Sequence, residues 1–209
     1  MNRHFLYIAD PMCSWCWGFS PVIEKIATEF GEQVPVRVMV GGLRPGTTTA
    51  MREQDKEYIS GHWKHVQAAS GQPFDFEFFD QDGFIYDTEP ACRAVVAARN
   101  LDETRALGFL GVLHRAFYAN RRDTTDPDVL ADIAETYGYP RCDFQLTHAS
   151  PEIREETLAD FDFAQQSGIT GFPTLLAIED GKPLMVTAGF QKWENLATPL
   201  ENWVNGVAA

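Results

Sequence analysis

The chain has 209 residues and carries 17 Lys and Arg against 30 Asp and Glu, a formal net charge of −13. That balance argues against nucleic acid and anionic membrane surfaces as partners, because both require a positive footprint. No run approaches the roughly 18 apolar residues of a membrane-spanning helix, so no membrane segment is expected. The N-terminus lacks a basic region followed by a long apolar run, so no secretory signal is expected and the expected compartment is the reducing cytoplasm.

The first element is Phe5-Leu6-Tyr7-Ile8-Ala9, an apolar run that reads as a strand. It leads into Asp10-Pro11-Met12-Cys13-Ser14-Trp15-Cys16-Trp17-Gly18-Phe19. Pro21, Val22, Ile23, Ile26, Ala27 and Phe30 then recur at helical spacing. Cys13 is therefore expected where a strand-exit loop becomes a helix. First-turn N–H groups there lack intrahelical partners and, with the helix dipole, favour a thiolate. Cys16 stands one turn on, within reach of a reversible disulfide. The same spacing also fits half of a zinc site or two inert thiols. The other cysteines, Cys92 and Cys142, are isolated, with no histidine near them at ligand spacing.

Val34 to Val40 is a second strand, joined to the first through a helix and hence parallel to it. Gly41-Gly42-Leu43-Arg44-Pro45-Gly46 reads first as a turn and second as a wall of the redox site. Residues 49 to 66 have helical character. His62 and His65 lie on them, expected to face solvent rather than to hold a metal. Phe74, Phe76, Phe78 and Phe79 crowd a loop and must cover a core or line a groove. Helices follow at 89–100, where Cys92 is a small core residue, at 101–120, where His114 falls on the apolar face, and at 126–137. A short helical turn is expected over 142–149, and a long helix from Pro151 to Ser167 is capped by Ser150. Leu175–Ile178 and Leu184–Ala188 pair through the turn Glu179-Asp180-Gly181-Lys182. A helix from Trp193 to Val204 closes the chain. The order predicts an α/β fold: one domain over 1–209, with a mixed sheet and a helical insertion at about 48–147.

Two motifs carry a family resemblance: Asp10 through Phe19, and Gly168-Ile169-Thr170-Gly171-Phe172-Pro173-Thr174. Together they resemble the DsbA-like branch of the thioredoxin superfamily, including the group with FrnE-type oxidoreductases and 2-hydroxychromene-2-carboxylate isomerases. The resemblance covers most of the chain. It implies a thioredoxin-like fold, a cis peptide between Phe172 and Pro173, and the placement of that loop against the redox pair. The dipeptide between the cysteines is Ser14-Trp15, not the Pro-His of the strong oxidant in this branch, so no redox potential carries over.

The expected activity is thiol–disulfide exchange, without metal or cofactor, with a polypeptide dithiol or disulfide or a glutathione-like small thiol. Cys13 exchanges with the partner and Cys16 resolves the mixed disulfide. Trp15 and Trp17 flank the pair as substrate contacts or as packing. Phe172 and Pro173 face the pair by resemblance and would align a polypeptide backbone. Asp10 places a negative charge near the site, which opposes the dipole. One alternative is a glutathione-dependent isomerase or transferase, for which a resolving thiol is unnecessary. The other is a partner-binding module with an incidental thiol pair.

Overall fold

A computed structural model describes residues 3–206. The elements, in chain order, are β1 (Arg3–Ala9), α1 (Ser14–Phe30), β2 (Val36–Val40), α2 (Glu53–Ser70), α3 (Glu89–Leu101), α4 (Ala106–Tyr118), α5 (Pro127–Tyr137), α6 (Arg141–Ala149), α7 (Pro151–Gln166), β3 (Thr174–Glu179), β4 (Lys182–Ala188) and α8 (Trp193–Val204). The strands form one mixed sheet in the order β2-β1-β3-β4. β1 runs parallel to β2, with Phe5 beside Val36, and antiparallel to β3, with Phe5 beside Ala177. This is a thioredoxin-like α/β fold, and helices α2 to α6 stand between β2 and α7.

Alternation along β1 and β3 sorts the core. Phe5, Tyr7, Leu175 and Ala177 share a large cluster with residues of α1, α3, α4 and α8. Leu6, Ile8, Leu176 and Ile178 belong to a smaller cluster with Ala164 of α7. Successive strand side chains point to opposite faces, so the two clusters lie on the two sides of the sheet. A third cluster sits between α2 and α4. There Trp63 gathers Phe74, Phe76, Phe78 and Phe79 at ring-centroid distances of 4.7 to 6.2 Å. The crowded phenylalanines therefore cover a core.

Strand β2 lies at the sheet edge, where its outward backbone groups need partners. The Asp160 carboxylate of α7 accepts from Val40 N at 3.0 Å, and Arg99 of α3 donates to Val38 O at 2.9 Å. Arg99 and Asp160 also pair with each other at 2.8 Å. The edge is thus closed by side chains from two helices.

Two boundaries differ from the sequence expectation. The 101–120 segment splits: α3 ends at Leu101, and Asp102 accepts from Thr104 N at 3.0 Å to start a short 3-10 turn before α4. α1 begins at Ser14 and carries Pro21 in its interior. Proline cannot donate to the carbonyl four residues back. The Gln72 side-chain amide donates to that carbonyl, Trp17 O, at 3.2 Å instead. Among the described residues no helix is long and apolar enough to cross a membrane.

Candidate active site

The end of β1 and the start of α1 build the centre of the site. After Ala9 the chain turns at Asp10-Pro11-Met12, where Cys13 N donates to Asp10 O at 3.0 Å. Cys13 is the N-cap of α1, with extended backbone (φ −94°, ψ 115°), and its carbonyl accepts from Trp17 N at 3.0 Å. Cys16 stands at the third helical position. Both are free thiols; Cys13 is 5% exposed and Cys16 fully buried. The Cys16 side chain interacts with the adjacent Cys13 sulfur. Burial, and then the adjacent Cys13 sulfur, push the Cys16 thiol well above its ordinary range. Cys13 Sγ donates to Phe172 O at 3.5 Å. The accessible thiol therefore lies at a helix start with a protonated thiol behind it.

Asp10 ties the two walls of the site together. Its side chain is fully buried. Oδ1 accepts from Met12 N at 2.8 Å; Oδ2 accepts from Leu43 N at 2.7 Å and from Cys92 Sγ at 3.3 Å. Burial raises the Asp10 carboxyl above its ordinary value, and the Leu43 and Met12 amides pull the other way. The Asp10 main chain is held as well: the His114 ring Nε2 lies 3.2 Å from Asp10 O, while Nδ1 lies 3.1 Å from Ser20 Oγ. His114 is the satisfied, buried histidine that its place on an apolar face suggests. Burial lowers it to about 4.

A cleft of about 270 Å³ opens over Cys13. Met12, Cys13, Ser14 and Trp15 form its floor, Leu43 and Arg44 one wall, and Gly171 and Phe172 another. The far side comes from Tyr58, Ile59, His62, Trp63 and Tyr86. The 41–46 turn is thus also a wall of the site, contrary to the preferred reading of it as a turn alone. Gly41 explains the close fit: a Cβ there would lie 2.0 Å from the Phe172 ring. A larger cavity, about 520 Å³, lies against the opposite sheet face beside Leu6, Leu176 and Ile178, and no thiol lines it.

The sequence-predicted site residues divide. Cys13, Trp15 and Phe172 line the cleft; Trp15 is half-buried with its ring 5.5 Å from that of Phe190. Trp17 is corrected: it is 2% exposed and donates from Nε1 to Pro73 O at 3.0 Å. Its ring lies parallel to Tyr118 within the aromatic cluster. Helical residues two apart point about 200° apart, so Trp15 and Trp17 cannot both face one cleft. The Pro173 side chain is likewise buried away from the cleft. Its bond to Phe172 is cis, and its carbonyl accepts from Gly189 N at 2.7 Å. His62 is a second correction: it is half-buried in the cleft wall with its ring 4.5 Å from that of Tyr58. Sequence reasoning missed Met12, Tyr58 and Tyr86 as lining residues. Only the proximity of Met12 to Cys13 signalled any of them. Cys142 is exposed on α6 and lines no part of the cleft. Among the described residues no cluster of three or more His, Cys, Asp or Glu side chains is arranged to hold a metal ion.

The model of the DSBA-like thioredoxin domain matches residues 7–201. The structure is similar to that of a candidate protein disulfide isomerase from Nitrosomonas europaea, 38% identical, with 100% of both chains covered and a TM-score of 0.92. It is also similar to the cytosolic disulfide reductase DsbM from Pseudomonas aeruginosa, 25% identical over 97% of this chain and 98% of that one, with a TM-score of 0.80. DsbM has in addition been solved with GSH. Among curated proteins the chain is similar to the ClpXP adapter protein SpxH of Bacillus subtilis, 24% identical over 167 residues, 79% of this chain and 55% of the relative. It spans little more than half the length of the curated relatives it matches. With nearly its whole length matched by that domain model, the chain belongs to the DSBA-like thioredoxin domain family.

Proposed function

We propose that the protein is a thiol–disulfide oxidoreductase that exchanges disulfides through Cys13 and Cys16 with a polypeptide or a glutathione-like small thiol. One observation carries this reading: Cys13 lines an open cleft at a helix start, and Cys16 is buried beside it in the first turn of α1. In the reducing direction the Cys13 thiolate attacks one sulfur of the partner disulfide. A bond forms between Cys13 and that sulfur, and the other partner sulfur leaves as a thiolate and takes up a proton. Cys16 then loses its proton and attacks Cys13 Sγ, which releases the second partner thiol. The partner gains two electrons and two protons, and the protein holds a Cys13–Cys16 disulfide. The reverse sequence oxidises a partner dithiol.

Trp15 and the Phe172 main chain flank the partner in this reading, and Pro173 positions that main chain from within the core. The chain acts as a single thioredoxin-like domain in which residues 48–147 are an insertion supplying Tyr58, His62 and Tyr86 to the cleft. A disulfide that forms and opens in each cycle suits a reducing compartment, and DsbM is described as a cytosolic reductase. We therefore assign a cytoplasmic role.

The test is reduction of insulin or a disulfide-bonded model peptide by the pre-reduced protein, with Cys16→Ser as the diagnostic variant. Cys16→Ser should accumulate a mixed disulfide on Cys13, visible by non-reducing mass analysis. An alkylatable Cys13 that forms no adduct would count against the mechanism. A partner-binding module is the second reading, favoured by the adapter role named for the SpxH relatives. That role would survive loss of both thiols, whereas exchange would not.

A further inference from the structure

The cleft over Cys13 runs against the composition of the chain. Acidic residues outnumber basic ones 30 to 17, yet the cleft lining includes Arg44 and His62 and no Asp or Glu. Arg44 makes no ion pair among the described residues. Its guanidinium lies 5.5 Å over the Tyr86 ring. Asp55, whose carboxyl feels the charge of Arg44, is already bound by Arg52 at 2.9 Å. The buried Asp10 below the wall is occupied by Met12, Leu43 and Cys92.

The main chain at Arg44 is fixed while its side chain is spared. Arg44 N donates to Thr88 Oγ1 at 3.1 Å, and Thr88 N donates back to Arg44 O at 3.3 Å. Thr47 Oγ1 donates to the same carbonyl at 3.0 Å. A guanidinium held near a ring by cation–π attraction spends no N–H donor on it and keeps its N–H fork for an acceptor such as a carboxylate. The cleft is also small, near the lower end of ligand pockets at roughly 300 Å³, so a partner seated on Cys13 comes close to the wall that carries Arg44.

We propose that Arg44 is a carboxylate subsite of the Cys13 cleft, so that the protein exchanges preferentially with partners bearing a negative charge near their sulfur. This rests on the thiol–disulfide reading of Cys13 and Cys16 and adds to it the charge class of the partner. Arg44 acts as a specificity-determining residue and takes no part in moving electrons.

Single-turnover oxidation of the pre-reduced full chain tests it, with three small disulfides of different charge: anionic dithiodipropionate, neutral bis-hydroxyethyl disulfide and cationic cystamine. Arg44→Gln should slow dithiodipropionate about tenfold, the scale of one charge-assisted hydrogen bond. The same variant should leave bis-hydroxyethyl disulfide within about twofold and speed cystamine, while Arg44→Lys should keep much of the anionic preference. Added salt should shrink the preference of the unmodified protein for the anion. Equal losses with all three disulfides, or no change with any, would overturn the subsite. S-methylglutathione, which carries carboxylates but no exchangeable thiol, separates this inference from the redox reading. If the protein exchanges with no disulfide yet binds S-methylglutathione by calorimetry and loses that binding in Arg44→Gln, the subsite stands and the redox reading falls. Binding of the same strength in Arg44→Gln would end the subsite.

Discussion

The Cys92 thiol donates to the buried Asp10 carboxylate at 3.3 Å, and through Asp10 a residue of α3 supports both the Cys13 loop and the Leu43 loop. Asp10 supplies acceptors only, and Met12 N, Leu43 N and Cys92 Sγ are all donors to it. Asn at this position keeps one acceptor oxygen and turns an NH2 toward a main-chain N–H. Asp10→Asn should therefore destabilise the protein by about 2–3 kcal/mol, the scale of an unsatisfied buried donor pair. A domain of this size should then melt roughly 4–12 °C lower. Burial holds the Asp10 carboxyl above its unfolded value, so between the two values the folded state binds more protons than the unfolded one. Its contribution to stability must fall as pH rises through that window. Urea titrations across pH should show the stability difference between the unmodified protein and Asp10→Asn shrinking as pH rises through that window, on top of the opposite slope from the buried histidines.

Cys92 is fully buried, and burial followed by the Asp10 charge pushes its thiol well above the ordinary range. It is therefore a support for Asp10 and not a third redox thiol. Cys92→Ala should lower stability by about 1–2 kcal/mol through the lost contact and leave single-turnover exchange within about twofold. In the folded, reduced protein, iodoacetamide should label Cys13 and the exposed Cys142 well before Cys16 and Cys92. Peptide mapping that finds Cys92 or Cys16 labelled as fast as Cys13 would contradict the burial order.

Gly41→Ala tests the contact between the two loops. The added Cβ would lie 2.0 Å from one atom of the Phe172 ring, so the ring must move. Overpacking of this kind costs about 1–3 kcal/mol. Because Phe172 O accepts from Cys13 Sγ, exchange should slow as well, by roughly tenfold for a misplacement of about an ångström. Phe172→Leu combined with Gly41→Ala should recover part of the stability. Losses that simply add would show that the two residues act independently.

The centre of the cleft was legible because it is local. The strand into Cys13, the Cys-x-x-Cys spacing and the hairpin at Asp180-Gly181 each depend on a few neighbouring residues. His114 could be read as a buried, satisfied histidine from its helical face alone. The rest of the cleft could not be read in this way. Tyr58, His62 and Tyr86 reach Cys13 only through the packing of α2 and the chain before α3, and the Asp10–Cys92 bond spans 82 positions. Arg44 lay hidden in a Gly-rich stretch whose turn signal is strong and whose role as a wall depends on Phe172. Trp15 and Trp17 looked equivalent in sequence, and the turn of the helix separates them.

Two buried histidines should make the fold sensitive to acid. His114 and His148 are both lowered to about 4, chiefly by burial. Each is neutral in the folded state and gains a proton on unfolding at any pH between about 4 and the ordinary 6.5. In that window the unfolded state binds more protons, so stability rises with pH and is lost as pH falls from 6.5 toward 4. A fully expressed shift would contribute on the order of 3 kcal/mol per histidine. His114→Asn should flatten the dependence of unfolding free energy on pH over this range, whatever its effect at neutral pH. An unchanged slope in His114→Asn would place the acid sensitivity elsewhere.

The last prediction concerns the helix that carries the thiols. Pro21 leaves Trp17 O without its helical donor, and Gln72 Nε2 donates to it from the loop after α2. Trp17 Nε1 bonds Pro73 O in the adjoining position, so two hydrogen bonds dock the first turns of α1 onto residues 72 and 73. Gln72→Ala should leave the Trp17 carbonyl without a protein partner and cost about 1–2 kcal/mol. Pro21→Ala restores an N–H at the position that reaches the same carbonyl, and it also relieves a proline in a helix interior. In the Pro21→Ala background, removal of Gln72 should therefore cost much less, because the helix itself supplies the donor. A double-mutant cycle by urea denaturation measures the difference directly. Equal costs of Gln72→Ala in both backgrounds would show that Gln72 does not replace the donor that Pro21 removes.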